Sequence, residues 1–192
     1  MGSGSRLVPT CYTVCMKYVA LLRGINVGGK SRVEMNRLKT VFEDVGCQGV
    51  STYINSGNVI FSDERSAEKL QAILTTAIAE EFGFTVPLIL RDIKNLEAIC
   101  AQVPSNWVNN SDQKTDVLFL WDDINDKSIL EKIVFKPEIE NVRYVEGALV
   151  WNIDRVNATK GSSVKLIQNK VYKLMTIRNI NTVRKLVELS KN

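Results

Sequence analysis

Residues 24–31 read Gly-Ile-Asn-Val-Gly-Gly-Lys-Ser and match the phosphate-binding pattern G-x-x-x-x-G-K-[ST] in full. In a loop of that kind, backbone N–H groups converge on phosphate oxygens, the lysine reaches the outer phosphates and the hydroxyl holds magnesium. The apolar run from Tyr18 to Leu22 and a helix-like stretch after the loop supply the strand–loop–helix setting. The run Val117-Leu118-Phe119-Leu120-Trp121-Asp122 has the outline of the acidic strand that would complete a magnesium site. Buried strands ending in Asp are common, however, and a core strand with a turn acid is the plainer reading. A third segment, 176–182, sets Arg178 and Asn179 ahead of the last helix, where the helix dipole favours an anion and Asn181 is the expected N-cap. For Arg178 the alternative is a buried arginine that satisfies backbone carbonyls.

Two features speak against nucleotide hydrolysis. Ser31-x-x-Glu34 reads as a capping box, in which Ser31 serves the free N–H groups of the first helical turn instead of a metal. The second is topology. The helix expected over 32–45 has the apolar stripe Met35, Leu38, Val41, Phe42 and Val45, and Gly46 stops it. Strands over 50–54 and 59–61 follow, separated only by Asn55-Ser56-Gly57-Asn58. So short a connection makes an antiparallel hairpin, which is out of place in the mainly parallel sheet of a P-loop fold. A helix over 67–82, capped by Ser66 and stopped by Gly83, and a strand over 86–91 complete the order β-α-β-β-α-β. That is the ferredoxin-like split βαβ arrangement.

The order then nearly repeats. A helix over 92–101, a polar connection holding Trp107, a strand over 116–121 and a helix over 126–134 lead to a hairpin of 142–145 with 149–153. Val19-Ala-Leu-Leu and Ile25-Asn26 echo in Val117-Leu-Phe-Leu and Ile124-Asn125, and Tyr53 and Gly57 more loosely in Tyr144 and Gly147. The expected fold is therefore α+β, two ferredoxin-like halves in tandem, a degenerate duplication with a helical C-terminus over 164–169 and 182–190. Residues 1–15 are expected to be an expression leader with Met16 as the native start, 16–91 the first half, and 92–192 the second, degenerate half.

Composition narrows the function. The chain has 192 residues, 45% hydrophobic and 24% charged, enough to bury a sizeable core. It contains no histidine, which removes His-based triads, His-ligated zinc and His general bases. Its four cysteines show neither a disulfide framework nor a metal spacing, which points to a reducing cytoplasm. No apolar run is long enough to span a bilayer. Residues 155–192 carry nine Lys/Arg against the single acid Glu188, while residues 1–154 sum to −4. A basic tail beside an acidic body implies an anionic partner, an internal contact or simply solvated helix faces. For RNA, residues 57–63 lack the aromatic, glycine-rich strand that stacks bases, leaving charge alone for nucleic-acid binding.

Three segments together resemble one family: 22–29 (Leu-Arg-Gly-Ile-Asn-Val-Gly-Gly), 52–59 (Thr-Tyr-Ile-Asn-Ser-Gly-Asn-Val) with Phe61, and Thr176-Ile177-Arg178-Asn179 with Thr182-Val183. The resemblance, over about 16–192, is to a widespread bacterial family catalogued as a domain of unknown function. It implies a small cytoplasmic protein with ferredoxin-like halves and no assigned catalytic residues. Members often carry Asn where this chain has Ser31, so the P-loop match is incidental to the family. This chain departs from the family pattern at Asn55, where Gln is usual, and at Ile180, where Trp is frequent.

The expected function is a non-hydrolytic module that binds a phosphate-bearing or other anionic ligand, a nucleotide included, with no metal or cofactor and no catalytic residue. Arg23, Asn26, Gly28, Gly29 and Lys30 would hold the anion. Arg178 and Asn179 would close the site, and Ser56 and Asn58 on the hairpin turn would add polar contacts. The alternatives are a structural or protein-interaction role, supported by Trp107 in a polar connection, a P-loop-like hydrolase or transferase, and charge-driven nucleic-acid binding. If the glycine loop and Arg178 share one site, Arg178 must lie within side-chain reach of residues 23–30.

Overall fold

The computed structural model describes residues 15–28 and 31–191. Gly29, Lys30 and the bulk of the expected leader lie outside the described residues. The first half runs β1 (Met16–Leu22), α1 (Met35–Asp44), β2 (Gln48–Tyr53), β3 (Asn58–Asp63), α2 (Ala67–Phe82), β4 (Leu88–Asp92). After α3 (Ile93–Gln102) the pattern recurs as β5 (Gln113–Leu120), α4 (Ile129–Lys132), β6 (Glu140–Val145), β7 (Ala148–Asp154), α5 (Ser163–Gln168), β8 (Met175–Asn179), and α6 (Ile180–Leu189) closes the chain. The sheets have the strand orders β2-β3-β1-β4 and β6-β7-β5-β8, all neighbours antiparallel. These are two ferredoxin-like halves in tandem.

Strand alternation sorts the core into three layers. Ala20, Leu22, Val59 and Phe61 point to α1 and α2, whose Leu38, Phe42, Leu70, Leu74 and Ile78 cover them. On the opposite face of the same strands, Val19, Leu21, Ile60 and Ile89 meet Val117, Phe119 and Val150 of the second sheet, with α3 and α6 packed alongside. This shared middle layer makes the halves one body. The outer face of the second sheet, with Leu118, Leu149 and Trp151, is covered by the short α4, α5 and a 3-10 turn at Lys170–Leu174.

Several expectations need correcting. Ser31 is not a cap: it sits at φ +54, and α1 begins at Met35 with Glu34 as an N-cap that makes no side-chain bond. The helix expected over 126–134 shrinks to a 3-10 turn at Asp122–Ile124 and the four residues of α4. Residues 175–179, expected to lie in a mostly helical tail, form β8. Asn179, and not Asn181, caps α6 by accepting from the Thr182 N–H. Trp107 is 8% exposed and stacked under the Arg143 guanidinium, so it is core and not a docking contact.

Strand register turns the echoes into residue pairs. Arg91 stands opposite Val19 as Arg178 stands opposite Val117, and Leu22 pairs with Leu88 as Leu120 pairs with Met175. Gly57 and Gly147 each accept a bond from the end of the neighbouring first strand, Leu22 N–H at 2.8 Å and Leu120 N–H at 3.0 Å. The Tyr53 and Tyr144 echo does not hold, because Tyr53 falls opposite Asn58 and Val145 opposite Ala148 at matching places.

Candidate functional site

The loop leaving β1 is a built excursion. Gly24, Asn26, Gly28 and Ser31 all take positive φ, which reverses the chain repeatedly over a few residues. Asn26 staples it shut. Its Oδ1 accepts from the Val33 N–H at 2.9 Å, and its Nδ2 donates to the Val33 carbonyl at 2.9 Å and the Asn55 carbonyl at 2.8 Å. Asn26 therefore organises the loop against the hairpin tip, while Gly28 supplies a turn near the exposed Val27. With α1 starting only at Met35, no helix N-terminus among the described residues follows directly on Ser31, and β1 is antiparallel to both its neighbours. The loop is not a P-loop.

Where the halves meet, two arginines reach across. Arg23 donates through Nε to the Met175 carbonyl at 2.9 Å and through Nη2 to the Tyr172 carbonyl at 3.3 Å, with its guanidinium over the Tyr172 ring at 5.2 Å. Arg178 goes the other way, from β8 into the first half. Its Nε donates to Asn58 Oδ1 at 2.5 Å, and Nη2 to the carbonyls of Leu22 (2.7 Å), Ser56 (2.8 Å) and Gly57 (3.1 Å). Its Nη1 donates to Thr176 Oγ1 and to the Ile177 carbonyl. Asn58, itself fully buried, holds the Tyr53 carbonyl and Ser56 Oγ with its amide. Burial alone brings the Arg178 guanidinium down to about 10, still cationic at neutral pH.

These contacts wall a cleft of about 320 Å³. The loop contributes Arg23 and Gly24, the hairpin turn Ser56, and the second half Tyr172, Thr176 and Arg178. Among the described residues the two arginines are its only charged lining residues. Of the residues singled out in the sequence, Arg23, Ser56 and Arg178 thus come together, Arg178 lying 122 positions beyond Ser56 in the chain. Asn58 supports Arg178 from below, Asn26 faces a separate open groove, Asn179 is engaged as a cap, and Gly29 and Lys30 are outside the described residues. Tyr172 and Thr176 went unsingled for this role; Tyr172 is a lone aromatic in a basic stretch and carries no local signal. Among the described residues no group of three or more His, Cys, Asp or Glu is placed to hold a metal, and no helix is long and apolar enough to cross a membrane.

At the pseudo-equivalent end, Arg91 donates to the Leu120 and Leu90 carbonyls, and its buried Nε has no partner among the described residues. Its surroundings are acidic. Asp122 lies at 3.6 Å, and while burial pulls the guanidinium down, Asp122, Glu146 and Asp92 raise it. The positions matching these three acids at the Arg178 end are Gly24, Ser56 and Asn179, and Arg23 stands where that end has Trp121.

Fold and junction together define a class: an α+β protein of two ferredoxin-like halves fastened by reciprocal arginines, one of them beside a cationic cleft. The chain belongs to the family described as "Protein of unknown function (DUF1697)", whose model matches residues 16–151. The matched stretch ends before β8. A solved structure of the conserved bacterial protein SP0830 from Streptococcus pneumoniae is similar at 28% identity and a TM-score of 0.80, covering 92% of this chain and 99% of that one. No curated protein matches closely enough to lend the chain an activity.

Proposed function

We propose that the chain is a non-hydrolytic binding module for a small anionic ligand, phosphate-bearing or carboxylate, held in the cleft between its halves. One observation carries the reading: of two pseudo-equivalent arginines, the half-buried Arg91 has Asp122 at 3.6 Å with Glu146 and Asp92 nearby, and the buried Arg178 has no carboxylate within 4.0 Å among the described residues. A buried cation whose hydrogen bonds go only to neutral acceptors keeps its field, and in a cleft of low dielectric that field favours an anion. Arg178 is fully engaged by the protein, so it attracts from behind. Arg23 keeps Nη1 without a partner among the described residues and is the group positioned to touch the ligand.

Amide chemical shifts during a titration with inorganic phosphate test this. Saturable shifts should centre on Arg23, Gly24, Ser56 and Thr176, with a dissociation constant on the order of 1 mM, as a ligand of few atoms allows. Arg23→Gln should weaken binding about tenfold. Absence of site-specific shifts up to about 20 mM phosphate or acetate would refute the reading. Magnesium and ATP should give no hydrolysis above buffer.

A further inference from the structure

Beyond the cleft, beneath α5, lies a second and more enclosed cavity of about 250 Å³. Most of its wall is apolar, with Leu118, Trp151, Ile153, Leu166 and Ile177 prominent. Tyr172 and Ile177 line this cavity and the cationic cleft alike, so the two spaces share a wall. We infer that the ligand of the cleft is an amphipathic anion: its charged head lies at Arg23, and an aromatic or branched apolar tail passes Tyr172 into the cavity beneath α5. The inference rests on the anion reading above and adds the class of tail.

Three observations carry it. The first is size, since a cavity of about 150 Å³ already accommodates benzene, and this one is larger. The second is the asymmetry of charge across Tyr172. On the cleft side the only charges among the described residues are Arg23 and Arg178. On the cavity side the carboxylate of Glu140, 2% exposed, accepts from the N–H groups of Lys136 and Ser162 at 2.7 Å each and from Trp151 Nε1 at 3.3 Å. Lys114 and Asp116 pair with each other at 3.2 Å. Three protein donors hold the Glu140 carboxylate in place, while its charge keeps a second anion out, which fixes the orientation of the ligand. The third is the wall itself. Arg23 lies over the Tyr172 ring, so the residue that meets the head also holds the side chain that borders the tail.

The test compares inorganic phosphate with phenyl phosphate on the full chain. Phenyl phosphate should bind at least about tenfold tighter, because burying the ring removes apolar surface from water. Its ring protons should give intermolecular NOEs to the methyls of Leu118, Ile153 and Leu166. Ala158→Phe, placed in the turn that borders the cavity, should abolish the advantage of phenyl phosphate and leave phosphate binding unchanged, which also reports that the variant is folded. Equal affinities, or NOEs confined to residues 23–27 and 56, would overturn the inference and leave the anion reading standing. Failure of both ligands to shift any cleft resonance would overturn both.

Discussion

Replacing Arg178 by methionine separates a fastening arginine from a decorative one, and its pseudo-equivalent Arg91 is the internal control. Arg178 serves four acceptors in the first half. Of these, the Gly57 carbonyl keeps the Leu22 N–H and the Leu22 carbonyl keeps a weak bond from Thr176 Oγ1. The Ser56 carbonyl and Asn58 Oδ1 keep no other partner among the described residues. Two acceptors stranded at about 1–3 kcal/mol each, slightly offset by the apolar methionine, give a loss of about 4 kcal/mol. That is a large share of the roughly 5–15 kcal/mol a domain has. Arg91→Met strands the Leu120 carbonyl across the junction, takes a donor from the Leu90 carbonyl as the Arg178 change does from that of Ile177, and removes a buried N–H that has no partner among the described residues, so its cost is about 1 kcal/mol. Guanidinium unfolding followed by the fluorescence of Trp107 and Trp151, both buried, measures each loss from the midpoint and slope. An Arg91 variant that loses as much as the Arg178 variant would refute the reasoning, since it would mean that burial and not acceptor satisfaction sets the cost.

Three further outcomes follow from local geometry. Ser31→Asn should raise stability by about 0.5 kcal/mol in a thermal melt, because Asn tolerates the left-handed backbone at φ +54 better than Ser does. Gly57→Ala should cost about 3 kcal/mol, since its Cβ would lie 2.8 Å from Leu22 Cβ at φ +78, whereas Gly24→Ala, facing open space, should cost about 1 kcal/mol. Asp63 is held below the usual carboxylate range by the hydrogen bonds from the Arg65 side chain, against the opposing effect of burial. Its contribution is full above the unfolded carboxylate value of about 4 and fades as pH falls through the lower folded value. Asp63→Asn should therefore be less stable than the parent at pH 6 and show a shallower loss between about pH 4 and pH 2 in urea titrations.

What the sequence disclosed was what local chemistry decides. The helix over 67–82 came out with both ends because Ser66 and Gly83 act within a turn of it. The hairpin, expected to turn at 55–58 and found between Tyr53 and Asn58, and the ferredoxin-like order rest likewise on short connections. The strand β8 was missed although Met175 and Ile177 alternate with Thr176 and Arg178. The second pair looks polar and exposed until the first half covers it, and no local signal reports that cover. Ser31 misled for a related reason: S-x-x-E fits a cap only if the backbone arrives extended, and the loop delivers Ser31 left-handed. Convergence of Arg23 with Arg178 was legible as a condition, not as a distance. The use of Asn26, Asn58 and Asn179 as staple, brace and cap depends on partners 3 to 120 positions away.

The reciprocal arginines have the form of an isologous contact, in which the same residue of each unit grips the same carbonyl of the other. In a homodimer of identical units, any substitution at one grip appears at both. Joined covalently, the two grips vary independently, and here one has Asp122 at 3.6 Å with Glu146 and Asp92 nearby while the other has no carboxylate within 4.0 Å among the described residues. Fusion thus converts a symmetric seam into a polar one, with a neutralised end and a cationic end. Only the cationic end has electrostatic work left over after holding the halves together.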